Sequence, residues 1–218
     1  MKKTIFIVGA GKGLGNAIGR KFGANDFRVV LIMSRNAENL KAYEQEFKSD
    51  GIEVYTKIAD AADDNAMAKA LNEAVAEYGT PDVFAYNVGV TLPDNMQEGG
   101  ISTFVLRDRY QVDVVGAYNC IRQIATDDFA KKNGSILVTG GGLAMYPSAE
   151  YLPLSMDKAA LRAMVQALHP VMKEKGIFLG IPTVCNVIAE GSSCAPDILA
   201  EKYWQQYSER KDWEIVCQ

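Results

Sequence analysis

The amino-acid sequence predicts a single doubly wound α/β domain over residues 1–218, with a mainly parallel seven-stranded sheet and helices on both faces. Short apolar segments rich in β-branched residues alternate with amphipathic segments along the chain. Such alternation is typical of parallel strands that are joined by right-handed helical crossovers. No Pro/Gly/Ser-rich linker and no block of like charge divides the sequence, so we expect one domain.

The apolar runs predict the strands. The first run, TIFIVGA at residues 4–10, is short, β-branched and ended by glycine, as expected for a strand that is covered on both faces. The other predicted strands are residues 27–33, 52–59, 82–89, 134–142, 176–184 and 213–217.

The amphipathic segments predict the helices. In residues 36–51, apolar side chains at Ala37, Leu40, Tyr43 and Phe47 form one stripe, and the glycine at the end provides a C-terminal cap. The other predicted helices are residues 14–26, residues 67–78, residues 102–130, the segment that begins near Pro153, and residues 196–207.

Composition and charge argue against several classes of protein. The formal net charge is −4, whereas binding to nucleic acid or to a membrane surface requires a basic face. No apolar run approaches the ~20 residues that span a bilayer. The four cysteines are scattered and His169 is the single histidine, which gives neither a metal-binding pattern nor a disulfide framework. We therefore expect a cytoplasmic protein without a metal site.

The glycine-rich segment GAGKGLG lies between the first predicted strand and the first predicted helix. In doubly wound sheets ligands bind beyond the carboxyl ends of the strands, and the first strand–helix turn usually holds a phosphate. Gly9, Gly13 and Gly15 allow the backbone to turn tightly and to approach a pyrophosphate. The helix that begins at Leu14 points its N-terminal amides at the same charge. The segment therefore predicts a dinucleotide-binding (Rossmann) domain.

Residues at the end of the second predicted strand indicate which dinucleotide binds. An acidic residue there would bind the ribose 2′-hydroxyl and repel a 2′-phosphate, but this chain has Ser34 and Arg35. Lys12, in the glycine-rich segment, is expected to converge on the same spot. Two cations and a hydroxyl suit a 2′-phosphate, so we predict NADP(H) in preference to NAD(H). The alternative is that Arg35 is a solvated charge at the start of a helix.

At these residues the sequence resembles the short-chain dehydrogenase/reductase family, and the resemblance covers nearly the whole chain. The spacing of Gly9, Gly13 and Gly15 matches the family's fingerprint, although Val8 stands where threonine is common. The resemblance implies that Asp60 lies near the adenine. It also implies that YNVG at residues 86–89 takes the place of the family's Asn-Asn-Ala-Gly, with Asn87 and Gly89 kept for cofactor binding.

The family's catalytic residues are mostly absent. The resemblance implies a tyrosine four residues before a lysine, a serine about thirteen residues before the tyrosine, and an asparagine in the long helix. In this chain those three positions hold Leu154, Gly141 and Asp113, and only the lysine, Lys158, remains. In the family this lysine also binds the nicotinamide ribose, a role that needs no tyrosine. The alternative is a solvated lysine on a helix face.

Other residues are candidates for the missing proton donor. Tyr151 precedes Lys158 by seven residues and is expected in the loop before the helix, because Pro153 fits best in the first helical turn. Tyr151 and Tyr146 remain candidates, although each is more simply explained as a packing residue of the cleft. Asp113 is a candidate ion partner of Lys158. Two functions therefore stay open.

The first is an atypical NADP(H)-dependent oxidoreductase that transfers hydride to or from a small carbonyl, alcohol or conjugated substrate. The second is a catalytically degenerate NADP(H)-binding protein that acts as a sensor or scaffold. The resemblance also implies a homodimer or homotetramer, formed through the helix 102–130 and the helix after Pro153.

Overall fold

The computed structural model describes residues 2–33, 37–93 and 100–218. Within these ranges the chain forms eight strands and eight α-helices that alternate along most of the sequence. The strands are β1 (Lys3–Val8), β2 (Phe27–Met33), β3 (Val54–Ile58), β4 (Val83–Tyr86), β5 (Ser135–Val138), β6 (Gly140–Gly141), β7 (Phe178–Val184) and β8 (Glu214–Cys217). The α-helices are α1 (Leu14–Ala24), α2 (Ala37–Ser49), α3 (Asp64–Tyr78), α4 (Thr103–Tyr110), α5 (Gly116–Ile124), α6 (Asp127–Lys131), α7 (Leu152–Glu174) and α8 (Pro196–Glu209).

The strands form one sheet in the order β3-β2-β1-β4-β5-β7, with β8 paired to the far side of β7. Every strand pair in the described part of the chain is parallel. The strand β6 is a two-residue segment beside the end of β7 and extends the line of β5. The predicted parallel doubly wound sheet is therefore confirmed, with one short strand more than expected.

The order of the strands reverses between β1 and β4, because β2 and β3 extend to one side and β5 and β7 to the other. In sheets of this kind the reversal opens a crevice at the carboxyl ends of the two central strands. The glycine-rich segment follows β1 and Asn87 follows β4, so both lie at that crevice.

Alternate side chains of the strands feed two separate cores. Ile5 and Ile7 of β1 face one core, which is shared with α1, α2 and α8. Phe6 and Val8 face the other core, which is shared with α3, α5 and α7. Because β1 has no solvent-exposed face, its sequence is an almost continuous apolar run, as the sequence analysis expected.

The predicted long helix over residues 102–130 is wrong in detail. The chain forms α4, a π-helical turn at Gln111–Val115 and α5, and the continuous helix ends at Ile124. The turn brings the carbonyl of Val112 within 2.5 Å of the hydroxyl of Tyr86, which donates to it from β4. A Cβ atom at Gly116 would lie 2.8 Å from the same hydroxyl oxygen, so glycine leaves room for the tyrosine. A new helix, α6, then begins at Asp127 and is capped by Thr126, whose hydroxyl accepts from the amide of Phe129.

The helix α8 packs against α1 through an aromatic cluster. Phe22, Phe27, Trp204 and Tyr207 contact one another with ring centroids 5.2–6.1 Å apart. The C-terminal strand β8 is held by Glu214, which accepts a bidentate pair of hydrogen bonds from Arg162 of α7 and one from Thr183 of β7. These contacts stabilise β7 and α8, the two elements that flank the loop over the crevice at residues 185–195.

In the part of the chain that the structure describes, no helix is both long enough and apolar enough to cross a membrane.

Candidate functional site

A cleft of about 860 Å³ opens at the carboxyl ends of β1, β4, β5 and β7. Its walls come from the glycine-rich segment, the ends of the central strands, the start of α7 and the loop after β7. The lining residues are Gly9, Gly11, Gly13, Leu14, Gly15, Asn87, Val88, Gly89, Thr91, Thr139, Gly140, Gly141, Gly142, Leu143, Tyr146, Tyr151, Leu154, Lys158, Val184, Cys185, Asn186, Val187 and Ile188.

The glycine-rich segment approaches neighbouring backbone so closely that side chains are excluded. A Cβ atom at Gly9 would lie 2.2 Å from the carbonyl oxygen of Asn87, and Gly9 has a positive φ of 90°. A Cβ atom at Gly15 would lie 2.4 Å from the carbonyl oxygen of Gly9. Gly13 provides no side-chain cap for α1, and the space around its Cα is open. The start of α1 therefore borders the cleft at Gly13, Leu14 and Gly15, and the unpaired amides at a helix start are groups that suit an anion.

Asn16 stabilises the same segment and was missed by the sequence analysis. Its side chain is completely buried, and its Oδ1 accepts from the amide of Gly11 over 3.1 Å. Asn16 lies one residue beyond the last glycine of the motif, in the first turn of α1. The signal for it in the sequence is its place directly after the glycine-rich segment, where a side-chain oxygen can accept from a backbone amide of that segment.

The side chain of Asn87, which follows β4, forms hydrogen bonds to the residues that follow β1 and β5. Its Nδ2 donates to the carbonyl of Gly9 over 3.1 Å, and its Oδ1 accepts from the hydroxyl of Thr139 over 2.8 Å. Gly89 lies two residues further on, at the floor of the cleft. The structure thus holds Asn87 against the glycine-rich segment and places Gly89 in the wall of the same cleft.

The residues predicted to bind the adenosine half of the dinucleotide lie at different places. Asp60 stands at the turn after β3, where its Oδ1 accepts from the amide of Ala62 over 3.1 Å. Lys12 is exposed and lines a neighbouring groove between α1 and the start of α8. Ser34 and Arg35 lie outside the described residues.

Lys158 is buried in the second turn of α7, with only 6 % of its surface exposed. Its ammonium donates to the carbonyl of Thr139 over 2.9 Å at the floor of the cleft. Burial lowers the pKa of Lys158, while the negative charges of Asp113 and Asp157 oppose that shift. The alternative of a solvated lysine on a helix face is wrong, because the side chain points inward.

Asp113 lies in the π-helical turn and is completely buried. Burial raises the pKa of its carboxyl group, against the opposing effects of Lys158, the Val90 amide and Arg109. No described residue completes a hydrogen bond of ordinary geometry with either carboxylate oxygen. A Cβ atom at Gly89 would lie 3.4 Å from Nζ of Lys158 and 3.5 Å from Oδ2 of Asp113, so the two side chains converge on that point without forming a salt bridge.

The positions of the missing serine and tyrosine also line the cleft. Leu154 is 7 % exposed and is one helical turn before Lys158. A Cβ atom at Gly141 would lie 3.1 Å from Cγ of Lys158, so the glycine gives the lysine stem its room. Tyr151 ends a short 3-10 turn before α7, and Tyr146 is 70 % exposed at the mouth. Both tyrosines border the cleft, but Tyr146 points mostly to solvent.

The aromatic residues of α8 do not line the cleft. Trp204 belongs to the cluster with Phe22 and Phe27. Tyr203 is fully buried behind the cleft wall, where its hydroxyl forms a hydrogen bond with the hydroxyl of Thr139. Thr139 was not among the residues predicted from the sequence, although its place directly after β5, at the carboxyl edge of the sheet, is a signal for it.

Substitution of Asp113 by asparagine should change how stability depends on pH. Because burial raises the pKa of Asp113 above its ordinary value of 3.8, the folded state holds this proton more tightly than the unfolded chain. The wild type therefore loses stability, relative to Asp113→Asn, as the pH rises from 3.8 through the folded pKa. Urea denaturation of both proteins at several pH values between about 4 and 8 measures the difference.

Asp128→Asn is the opposite-sign control. Lys131 lowers the pKa of the exposed Asp128 carboxyl, so this variant should lose a little stability relative to wild type as the pH rises from below 3.8 to that value, and the urea series for this pair is extended to pH values below 3.8. Parallel pH profiles for wild type and Asp113→Asn would contradict the description of Asp113 as a desolvated carboxyl.

Comparison with known proteins agrees with this geometry. The model of the short chain dehydrogenase family matches residues 3–188. A 3-oxoacyl-[acyl-carrier-protein] reductase of Staphylococcus epidermidis is 23% identical over 214 residues, covering 94% of this chain and 84% of the relative. A diacetyl reductase [(S)-acetoin forming] of the same species is 28% identical over 178 residues, covering 81% and 68%.

A solved structure has the same fold. A metagenomic short-chain oxidoreductase in complex with NADP superposes with a TM-score of 0.85 at 21% identity, covering 98% of this chain and 96% of the other. The sheet, the glycine-rich segment and the lysine of α7 thus occur together in a chain whose sequence matches one family model over most of its length. The chain belongs to the short-chain dehydrogenase family.

Proposed function

We propose that this chain is an atypical NADP(H)-dependent oxidoreductase that acts on a small, apolar carbonyl compound or the corresponding alcohol. The observation that carries the proposal is the single cleft in which the uncapped start of α1 and the buried ammonium of Lys158 face the same space. A dinucleotide bound there would supply the hydride. The residues of this chain bind it, orient it and hold the proton that the substrate oxygen requires.

The binding half of the site rests on backbone geometry. The amides at the start of α1 and the close approach of Gly9 and Gly15 suit the pyrophosphate. Lys158 is placed to donate to a ribose hydroxyl, since its ammonium lies at the cleft floor and keeps two hydrogens beyond the one given to Thr139. Ser34, Arg35 and Lys12 are assigned to the 2′-phosphate, and Asp60 to the adenine. The NADP-bound structure supports this assignment by similarity of fold.

The part of the site that would transfer a proton to the substrate lacks the family's tyrosine and serine. Leu154 can neither donate nor accept a proton, and Gly141 has no hydroxyl to hold the substrate oxygen. Loss of a positioned general acid typically slows proton transfer by ~10²–10⁴-fold. We therefore assign proton supply to the Lys158 and Asp113 pair, with Tyr151 and Tyr146 as the hydroxyls at the mouth. A substrate that needs little acid assistance, such as a conjugated acceptor or a vicinal diketone, fits this arrangement.

The walls of the cleft favour an uncharged substrate. Leu143, Leu154, Val187 and Ile188 present apolar surface around the lysine. Among the residues that line the cleft, Lys158 is the one Lys, Arg, His, Asp or Glu side chain. A small apolar carbonyl compound buries its carbon skeleton against these side chains and points its oxygen toward the ammonium. The diacetyl reductase among the relatives supports diacetyl as a first probe substrate.

The second candidate is an NADP(H)-binding protein without turnover, acting as a sensor or scaffold. Leu154 and Gly141 favour it, because both replacements remove proton chemistry while the binding half of the cleft stays intact. The two candidates share the cofactor site and differ only in whether hydride reaches a substrate.

The assembly that we propose is a homodimer or homotetramer built on α4, α5 and α7. Exposed apolar side chains lie on these helices: Phe104, Tyr110, Tyr118, Met156 and Val171. The α4 and α7 ends also enclose a shallow groove that contains Tyr110 and Met156. Burial of these side chains in a second copy of the chain would remove a large apolar area from water.

Titration with NADPH and NADH tests the cofactor assignment. We expect micromolar binding of NADPH, followed by nicotinamide fluorescence, and weaker binding of NADH. The double variant Lys12→Ala/Arg35→Ala should weaken NADPH binding by about tenfold and leave NADH binding nearly unchanged, because charge-assisted bonds to the 2′-phosphate are lost. Arg122→Ala/Lys131→Ala removes two exposed cations elsewhere and serves as the control. Absence of binding to both nucleotides would end the oxidoreductase and the sensor proposals together.

Restoration of the family's proton chemistry tests the catalytic half. Gly141→Ser/Leu154→Tyr should raise the rate of NADPH-dependent diacetyl reduction by ~10²-fold or more, because a phenol is then placed one helical turn before Lys158. Gly141→Ser/Leu154→Phe adds the same ring without the hydroxyl and should give no gain. NADPH affinity, measured in parallel, should be equal in the two variants, since both carry the serine that crowds the Lys158 stem. No gain in rate despite intact NADPH binding would mean that diacetyl does not reach the lysine in a reactive position.

Substitution of Phe104 tests the assembly. Phe104→Glu should shift the protein from oligomer toward monomer in light scattering at micromolar concentration, because the 75 % exposed ring would be buried between copies. Ile58→Glu places the same charge at a 61 % exposed apolar position on the edge strand β3 and should leave the mass unchanged. A wild-type protein that is monomeric at all concentrations would refute the assembly.

A further inference from the structure

Tyr203 reaches the cofactor cleft from behind. It lies in the middle of α8, has no exposed surface, and its hydroxyl contacts the hydroxyl of Thr139 at the end of β5. Within the described chain, Thr139 is the partner to which this phenol hydrogen bonds. A phenylalanine would fill the same apolar space, so the hydroxyl group requires its own explanation.

The direction of the hydrogen bonds follows from the donors that are present. The buried phenol has to donate to Thr139, since its hydrogen would otherwise have no acceptor. The Thr139 hydroxyl then uses its own hydrogen for Oδ1 of Asn87, at 2.8 Å. With Oδ1 committed to Thr139, the amide nitrogen of Asn87 faces the carbonyl of Gly9, at 3.1 Å. The chain of bonds therefore runs one way, from Tyr203 to Gly9.

Thr139 serves both halves of the cleft. Its hydroxyl leads to Asn87 and Gly9, while its carbonyl accepts the ammonium of Lys158 over 2.9 Å. The Thr139 hydroxyl has a second, longer alternative in the carbonyl of Tyr86, at 3.2 Å against 2.8 Å to Asn87. A bond accepted from the phenol restricts the rotation of this hydroxyl, and without that restriction its hydrogen is free to turn to Tyr86 and leave the Asn87 amide without the contact that selects its orientation.

We propose that Tyr203 is a positioning residue of the dinucleotide site, which acts through Thr139 to fix the side-chain amide of Asn87 against Gly9. The proposal rests on the proposed cofactor function. It assigns α8, which contributes no residue to the central part of the cleft, a defined role in holding the glycine-rich segment. The hydrogen of the phenol has the positioning role, whereas the ring packs in the hydrophobic core.

Tyr203→Phe tests the proposal, with Tyr207→Phe as the matched control. Tyr207 lies on the same helix, and its hydroxyl accepts from Lys3 over 2.8 Å at the protein surface, away from the cleft. Tyr203→Phe should raise the dissociation constant for NADPH by about three- to tenfold, the effect of one lost hydrogen bond. Tyr207→Phe should leave it unchanged. In the double variant Tyr203→Phe/Thr139→Val, affinity should be no lower than in Thr139→Val alone, because both changes break one pathway.

A measurement without ligand separates this inference from the cofactor proposal. In the free wild-type protein, the side-chain amide of Asn87 should give two resolved NMR signals with slow solvent exchange. Tyr203→Phe should make that exchange several-fold faster, and Tyr207→Phe should not. If the wild type binds neither nucleotide, the cofactor proposal fails while the NMR comparison still decides the orientation of Asn87. Unchanged exchange and unchanged NADPH affinity in Tyr203→Phe would overturn the inference.

If Tyr203→Phe does not fold, the same exchange measurement is made on two variants of Thr139 that keep Tyr203. Thr139→Ser retains the hydroxyl and should keep slow exchange at Asn87, whereas Thr139→Val should speed it. Equal exchange in these two variants would also overturn the inference.

Discussion

The shape of the cleft depends on one close backbone approach, between Gly9 after β1 and Asn87 after β4. A Cβ atom at Gly9 would come within 2.2 Å of the Asn87 carbonyl, so the two loops touch without any side chain between them. The Asn87 amide then bonds back to the Gly9 carbonyl and closes the contact. Because the order of strands reverses at this point, the contact lies where a parallel sheet opens for a ligand. The start of α1, the floor at Gly89 and the position of Thr139 all follow from it.

Much of the fold was predictable because it depends on local pattern. The strands buried on both faces appear in the sequence as apolar runs, and the glycine-rich segment identifies the turn after β1. The break in the predicted helix 102–130 was not predictable in this way. It depends on Tyr86, which is 26 residues from its partner Val112, and on Gly116, which makes room for the phenol. No periodicity within the helix carries that information.

The same distinction between local sequence pattern and contacts of distant residues applies to the candidate site. Gly9, Gly13, Gly15, Asn87, Gly89 and Lys158, which their spacing or their resemblance to family motifs singled out, all line the cleft. Thr139 and Tyr203 could not be paired from the sequence, since 64 residues separate them and each alone resembles a core residue. The lack of hydrogen bonds of ordinary geometry from described residues to the Asp113 carboxylate could not be predicted either, because it depends on a π-helical turn.

The apolar residue at Leu154 has an electrostatic consequence. Leu154 covers one side of the cleft floor, and Gly141 lets the Lys158 stem pack without a polar neighbour. The ammonium therefore lies among groups that lower its pKa, with a buried carboxyl whose pKa is raised close by. Charges in such a poorly hydrated place act more strongly on a nearby dipole than they would in water. In the proposed oxidoreductase, a carbonyl oxygen that reaches this floor would be polarised by Lys158, which would compensate in part for the absent phenol and serine.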